Sequence, residues 1–327
     1  MEVFLDSLKL AAGVMLLNAG ANFLVKASAR VARGLGIRPM LIGMTIVAFG
    51  TSAPEFVVSL LAAAKKQMGI SYGNIIGSNI ANIGLILGIS ALIRPLKFTK
   101  NILDWEYWFL VIITLFLVLF SFDGIFSFYN GLFFCILAVG FMGFTIRSGI
   151  KGGKEVIDFT SEIPSDPPKY WRDIPFILIG ILGLYGGSEL VVGAGVGLMR
   201  AFGLSETVIG LTFVAIGTSL PELAASIVSV KKGETEICVG NVIGSNIFNT
   251  IFILGGVSLL GDINFKEDIN LIRFQLIIMA IITILLYPFF KSENKMDWRE
   301  GGFLLATYVC FLVAVFFWST LSASFAN

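Results

Sequence analysis

The sequence contains no histidine and little charge. Charged residues make up 14% of the 327 residues, whereas soluble domains carry about 25%. Without an imidazole, the chain cannot form a histidine-dependent serine or cysteine hydrolase, an HExxH zinc site or an imidazole proton relay. The sequence has no GxxxxGKS/T phosphate loop, so it gives no sign of an ATP-driven motor. The three cysteines lack CxxC spacing, and a net charge of +1 gives no basic surface for nucleic acid.

Apolar residues dominate instead. They form 56% of the chain, and the mean hydropathy is +0.89. The apolar runs are about 20 residues long, which is enough to cross a lipid bilayer. We therefore predict an all-α polytopic membrane protein with ten transmembrane helices. The predicted spans lie near residues 8–30, 38–64, 71–93, 104–122, 126–147, 174–199, 205–230, 237–260, 270–290 and 300–320.

One stretch reads as a soluble linker. Residues 150–173 are rich in charge, Gly and Pro, and they divide the chain into two halves of five spans, 1–149 and 174–327. Of the 23 basic residues, 17 fall in the set of alternate loops that includes this linker. Because basic residues of short loops stay in the cytoplasm, we predict a cytoplasmic linker and two outside termini. The expected location is a cell membrane, plasma or inner.

The most specific feature is an internal repeat at an offset of 167 residues. The repeated motifs are GTSAPE (50–55) with GTSLPE (217–222), and GNIIGSNIAN (73–82) with GNVIGSNIFN (240–249). Between 43–93 and 210–260, 24 of 51 positions are identical. Because each half has an odd number of spans, the second copy enters from the opposite side of the membrane. Inverted repeats with broken helices are typical of secondary transporters.

The first motif pair predicts a helix break beside a buried acid. Pro54 cannot donate to the carbonyl of Gly50, so we expect the helix to break there and to free carbonyls that line a cavity or hold an ion. Glu55 then lies at the start of the resumed helix, where the helix dipole favours a carboxylate. Glu222 repeats this arrangement. An intramembrane acid costs about 3 kcal/mol and usually marks an ion or proton path.

The second motif pair places polar side chains four residues apart, on one helix face. These residues are Asn74, Ser78 and Asn82, and Asn241, Ser245 and Asn249. Such stripes also serve as hydrogen-bonding contacts between helices. Their coincidence with an acid and a proline, twice at equal spacing, favours an ion site. Hard oxygen donors suit Ca²⁺ or Na⁺, and two glutamates neutralise one Ca²⁺ or two Na⁺.

The two motif pairs resemble the paired α-repeats of the sodium/calcium exchangers, within the cation/calcium exchanger superfamily. The resemblance covers essentially the whole chain. It implies that the second, third, seventh and eighth spans form an ion-binding core against which the first and sixth slide. Carried over by motif position, the shared carboxylates are Glu55 and Glu222. The resemblance further implies a Ca²⁺ site completed by the main-chain carbonyls of Thr51 and Thr218, flanking Na⁺ sites from Ser52, Ser78, Ser219 and Ser245 with the carbonyls of Ala48 and Ala215, and central amides at Asn82 and Asn249.

The resemblance implies a secondary-active antiporter that exchanges Na⁺ for Ca²⁺ by alternating access at two inverted five-helix repeats. It is not expected to be an enzyme, and no cofactor or obligate protein partner is expected. The alternative is an H⁺/Ca²⁺ or other cation/H⁺ exchanger of the same fold, but those proteins typically have GN just before the acid. A channel or an intramembrane enzyme is disfavoured. Many relatives carry Asp at the position of Asn249, so one potential charge is missing here.

Overall fold

The computed structural model describes residues 2–97, 105–151, 169–201, 217–266, 269–291 and 295–325. Helices form nearly all of this part of the chain. The α-helices are α1 (Glu2–Leu35), α2 (Pro39–Ile42), α3 (Ala48–Thr51), α4 (Ala53–Ala64), α5 (Met68–Ala81), α6 (Gly88–Ile93), α7 (Trp105–Ser121), α8 (Phe128–Lys151), α9 (Tyr170–Ala201), α10 (Leu220–Lys231), α11 (Thr235–Phe248), α12 (Gly255–Ser258), α13 (Ile269–Lys291) and α14 (Trp298–Phe325). The π-helical segments are π1 (Gly43–Val47), π2 (Asn82–Leu87) and π3 (Asn249–Leu254), and the strands are β1 (Leu96–Lys97), β2 (Ile125–Phe126), β3 (Ile263–Asn264) and β4 (Lys295–Met296).

The long helices match most of the predicted spans. Within the described residues, 7 helices are long and apolar enough to cross a membrane, and a bent pair raises the number to 8. The fourth predicted span is the 17-residue helix α7. The seventh begins outside the described residues and continues into α10. The all-α, multi-pass prediction is thus confirmed, whereas ten spans in two inverted repeats stay a prediction.

The predicted break at Pro54 is confirmed. Helix α3 ends at Thr51 and α4 begins at Ala53, and the segments Pro39–Thr51 and Ala53–Ala64 are bent by 46°. Ser52 lies at the break with φ −79° and ψ 8°, outside helical geometry. The bend follows from the proline, which has no N–H to donate to the Gly50 carbonyl and whose ring clashes with that carbonyl, although the non-helical residue is Ser52 and not Ala53.

Two π-helical segments begin at equivalent positions of the sequence repeat. π2 starts at Asn82 and π3 at Asn249, and both last six residues. A π-turn holds an extra residue per turn, and such segments are frequent at functional sites. The sequence analysis did not predict them, because no residue type specifies a π-turn. Both begin at an asparagine that the family resemblance implies as an ion ligand.

The chain divides into two compact units, each drawn from both halves of the sequence. The first unit contains Met1–Phe56 and Val139–Phe248, and the second contains Val57–Ala138 and Asn249–Asn327. The predicted division at 150–173 follows the sequence repeat, and it stays a prediction.

Close backbone approach holds the first unit together. Helices α1 and α9 run antiparallel, and a Cβ atom added to Gly20 would lie 2.7 Å from the Leu184 nitrogen. Only glycine permits this separation, which lets backbone pack on backbone. At one end of the pair, the Arg30 guanidinium donates to Asp173 Oδ1 at 2.6 and 2.9 Å. Asp173 is fully buried, so the ion pair fixes the register of the two helices.

The second unit is held by tyrosine hydroxyls and short strand pairs. Tyr107 donates to the carbonyl of Thr283 at 3.0 Å, which joins α7 to α13. Tyr72 and Ser121 share a hydrogen bond between α5 and α7. Strand β1 pairs with β4 and β2 with β3, both antiparallel. These contacts connect segments that are distant in the sequence.

Candidate ion site

Two glutamates lie buried at the beginnings of matching helices in the first unit. Glu55 is in the first turn of α4 and Glu222 is in the first turn of α10, and the solvent exposure of each is 0%. Each acid directly follows a proline, and each helix begins two residues before its acid. Amide groups at a helix N-terminus favour an anion there, which offsets part of the cost of burying the charge.

Serine hydroxyls connect the two acids across the motif pair. Ser52 Oγ donates to Glu222 Oε1 at 2.9 Å, and Ser219 Oγ donates to Glu55 Oε1 at 3.1 Å. Each serine precedes the acid of its own motif by three residues and binds the acid of the other motif. The structure therefore brings together four of the residues predicted from the sequence, in a reciprocal arrangement that the repeat alone did not reveal.

Glu55, Glu222, Ser52 and Ser219 form a carboxylate cluster, and hydrogen bonds of Thr51 and Asn241 support it. Thr51 Oγ1 donates to Asn241 Oδ1 at 3.1 Å and also lies 3.3 Å from the carbonyl oxygen of Ala48. The Asn241 amide in turn donates to Ser226 Oγ at 3.1 Å and to the Glu222 carbonyl at 3.4 Å. Asn241 belongs to the polar face predicted from the sequence, but its hydrogen-bond partners are known only from the structure.

The asparagine-to-serine hydrogen bond recurs in the other half of the sequence. Asn74, the counterpart of Asn241, donates to Ser59 Oγ at 3.0 Å within the second unit. Ser59 and Ser226 stand at the same offset as the two asparagines. The same asparagine-to-serine hydrogen bond thus joins α4 to α5 in the first half of the sequence and α10 to α11 in the second.

Close packing of α11 on α2 and π1 positions Thr51 and Ser52. A Cβ atom added to Gly240 would lie 2.4 Å from the Met40 carbonyl oxygen, and one added to Gly244 would lie 2.5 Å from the Met44 Cα. The two glycines have the GxxxG spacing expected at a tight helix contact. Because glycine has no side chain, α11 packs closely enough for Asn241 to reach Thr51.

Electrostatically, the cluster is an acidic site with neutral oxygen neighbours. Among the residues that the structure describes, no lysine or arginine pairs with Glu222, and its Oε2 has no hydrogen-bond partner. A buried carboxylate without a cation is costly, so the site has a deficit of positive charge. The same part of the chain contains no group of three or more His, Cys, Asp or Glu side chains placed to hold a metal ion together. A bound cation would therefore need hydroxyl or carbonyl oxygens besides the two acids.

The remaining predicted residues are distributed as follows. Thr218 lies next to Ser219 and is 7% exposed, and Ser245 is fully buried in the first unit. Ala215 lies outside the described residues. Glu189, which does not recur in the repeat, is exposed on α9.

The second unit holds the other predicted polar residues in an amide cluster. Asn249 donates through Nδ2 to Asn79 Oδ1 at 3.1 Å, and Asn79 donates to Thr250 Oγ1 at 3.1 Å. Ser78 and Asn82 are buried on the same helical segment as Asn79. Sequence reasoning did not single out Asn79, although it recurs as Asn246 within the repeated motif.

Buried acids, helix breaks and repeated polar motifs in a multi-pass helical chain define a class of protein, the polytopic membrane proteins that carry ions. The chain belongs to the sodium/calcium exchanger family. The family model described as "Sodium/calcium exchanger protein" matches residues 8–147 and 173–317.

Individual relatives agree with the family. "Putative antiporter CaxA" of Alkalimonas amylolytica is 38% identical over 74% of this chain and 77% of its own length. "Sodium/calcium exchanger MaX1" of Methanosarcina acetivorans is 30% identical over 93% of this chain and 97% of its own length. A solved structure of the sodium-calcium exchanger NCX_Mj, soaked with Na⁺ and Ca²⁺, superposes with a TM-score of 0.82 at 32% identity. That match covers 94% of this chain and 98% of NCX_Mj.

Proposed function

We propose that this chain is a secondary-active antiporter that exchanges Na⁺ for Ca²⁺ across the membrane. The observation that carries the proposal is the carboxylate cluster, in which Glu55 and Glu222 are fully buried and each accepts a serine hydroxyl from the other motif. Two carboxylates balance one Ca²⁺ or two Na⁺. Buried carboxylates are costly without a compensating positive charge, and this pair can be neutralised by either one Ca²⁺ or two Na⁺. Such a site supports the replacement of one ion by the other rather than the release of an ion with nothing in its place.

The proposed ligands are hard oxygens. Glu55 and Glu222 would bind Ca²⁺ together with the carbonyls of Thr51 and Thr218. The proposed Na⁺ ligands are Ser52, Ser78, Ser219 and Ser245, with the carbonyls of Ala48 and Ala215 and the amides of Asn82 and Asn249. A hydroxyl that donates its proton to a carboxylate keeps its oxygen lone pairs, so the serines can hold the acids and a cation simultaneously.

The competing function is proton-coupled exchange in the same fold. Two buried carboxylates can also take up protons, since protonation removes their charge. The names of the relatives leave this choice open, because an antiporter may couple to Na⁺ or to H⁺. The absence of a GN pair directly before either acid favours Na⁺.

A counter-ion assay in proteoliposomes decides between the two. We expect rapid ⁴⁵Ca²⁺ uptake into vesicles loaded with Na⁺ and diluted into Na⁺-free buffer. We expect background uptake when a pH gradient is imposed without Na⁺. Vesicles with equal Na⁺ on both sides serve as the control. Ca²⁺ uptake driven by the pH gradient alone would favour proton coupling, and uptake into vesicles that have neither Na⁺ nor a pH gradient would indicate a channel.

A charge at position 249 provides a second test of the ligand set. Asn249→Asp introduces the acid that many relatives carry, which should strengthen cation binding and change the concentration of Ca²⁺ or Na⁺ that half-saturates flux. A shift of about tenfold corresponds to 1.4 kcal/mol, a modest electrostatic gain. Asn264→Asp, which adds the same charge at an exposed position outside the proposed ligand set, is the control. An unchanged ion profile in a folded Asn249→Asp protein would remove this position from the site.

We also propose that both termini lie outside and that residues 150–173 are cytoplasmic. The basis is the distribution of basic residues among the loops. Single cysteines introduced at 160 and at 326 in a protein without its three native cysteines should react from opposite sides with a membrane-impermeant maleimide. Reaction of both from the same side would contradict the orientation.

A further inference from the structure

A cavity of about 860 Å³ lies in the second unit, where two apolar spans begin. Its lining comes from the turn that joins α4 to α5, the segment that follows α12, and the first turns of α13. Helices α5 and α13 begin spans at Met68 and Ile269, and the preceding spans end at Ala64 and Ser258, so the lining residues between them belong to the connections at the ends of spans. The cavity therefore opens where headgroups of a bilayer meet its hydrocarbon.

Among the residues that the structure describes, one cationic and one anionic side chain line the cavity. Lys66 is exposed in the turn, at a positive φ of 59°. Asp262 lines the same cavity and accepts the backbone N–H of Phe128 at 2.7 Å through Oδ1. A lysine beside a single carboxylate disfavours a divalent cation as ligand, and an aspartate beside a single lysine disfavours a simple anion. A zwitterion satisfies both groups.

A buried acceptor adds a second indication. Gln275 lines the cavity from α13, and its Oε1 is buried without a hydrogen-bond donor among the residues that the structure describes. A buried carbonyl oxygen without a donor costs free energy, which a ligand N–H group would recover. A primary ammonium has three N–H donors, whereas a trimethylated ammonium has none.

Apolar side chains complete the lining. Ile70 and Leu260 are 58% and 57% exposed, and Leu271 and Ile272 continue the apolar surface along α13. Large exposed apolar groups beside charged ones fit an amphipathic ligand. Acyl chains would lie against these residues with the headgroup above them.

We propose that this cavity binds an aminophospholipid, with the phosphate at Lys66 and the primary ammonium at Asp262 and Gln275. The proposal does not depend on the transported ions, because every residue involved lies in the second unit and outside the carboxylate cluster. Its occupant is a membrane lipid rather than a soluble phosphate ester, since the apolar lining has no counterpart in a free headgroup.

Native mass spectrometry of the purified full-length protein tests the proposal. Dioleoyl phosphatidylethanolamine is compared with the phosphatidylcholine and phosphatidylglycerol of the same chains. We expect the tightest binding for the ethanolamine lipid and an approximately tenfold weaker affinity in Lys66→Ala, because a charge-assisted bond is lost. Lys65→Ala, which removes the neighbouring lysine outside the cavity, should bind normally.

The anionic side has its own matched pair of variants. Asp262→Asn keeps an oxygen for the Phe128 N–H and removes only the charge, so the protein should fold and lose its preference for ethanolamine over choline. Asp123→Asn is the control, because Asp123 likewise accepts one backbone N–H, from Ile125, outside the cavity. Equal binding of the glycerol and ethanolamine lipids by the wild-type protein would overturn the ammonium assignment. Unchanged affinity in Lys66→Ala would overturn the phosphate assignment, and displacement by soluble phosphoethanolamine would overturn the lipid.

Discussion

Glu222→Gln is expected to reduce Na⁺-dependent Ca²⁺ flux to background, and Glu55→Gln to do the same. A unit charge 4 Å away contributes about 4 kcal/mol at the effective permittivity of a protein, and twice that to a divalent ion. The affinity for Ca²⁺ should therefore fall by at least about a thousandfold. The measurement is ⁴⁵Ca²⁺ uptake into Na⁺-loaded proteoliposomes.

The fold should survive this substitution. Glutamine at 222 retains an oxygen that accepts the Ser52 hydroxyl, which is 2.9 Å away in the native protein. Removing an unpaired buried charge also lowers the cost of burial. Ca²⁺ should raise the melting temperature of the wild-type protein by mass action and leave that of Glu222→Gln unchanged.

Glu189→Gln is the matched control for the acid. Glu189 is also in a membrane-spanning helix, but it is exposed on α9 and its counterpart in the repeat is Asn22. Flux in this variant should equal that of the wild type. Wild-type flux in Glu222→Gln or in Glu55→Gln would refute the site.

Gly240→Val is expected to lower the melting temperature by about 4 °C, which corresponds to about 3 kcal/mol of overpacking in a chain of this length. The Cβ would lie 2.4 Å from the Met40 carbonyl oxygen, and the contacting atom is backbone, which cannot rotate away. The clash would push α11 away from α2 and separate Asn241 from Thr51, so flux should fall together with stability. Thermal unfolding followed by tryptophan fluorescence measures the first effect.

Gly193→Val controls for the loss of glycine itself. Gly193 is exposed on α9, and within the described residues nothing lies within 4 Å of a Cβ added there. The side chain would enter open space, so we expect a melting temperature within about 2 °C of the wild type, as for other surface changes. Equal destabilisation by the two substitutions would show that packing at Gly240 is not the cause.

Sequence patterns predicted the fold class because burial in lipid leaves a strong signal. Apolar length identifies spans, and Pro54 identifies the bend, since both follow from local chemistry. The 17-residue helix α7 shows the limit of length as a guide. The compact units combine segments from both halves of the sequence, and no local pattern encodes that combination.

The acidic residues of the site could be predicted from the sequence, whereas the residues that hydrogen-bond around them mostly could not. A charged residue inside a span is conspicuous, so Glu55 and Glu222 stood out in both motif copies. Asn79 and Asn241 are polar residues among several in their helices, and their partners come from distant segments. The crossed serine bonds could not be inferred, because the spacing within each motif suggests a serine binding its own acid.

The π-helical segments bear on how the chain arose. A π-turn differs from an α-helix by one additional residue, so each segment corresponds to a single-residue insertion into an ancestral helix. π2 and π3 occupy 82–87 and 249–254, the same place in the two motif copies. One insertion that preceded gene duplication explains both more simply than two independent events. The widened turn is then older than the sequence repeat that now contains two copies of it.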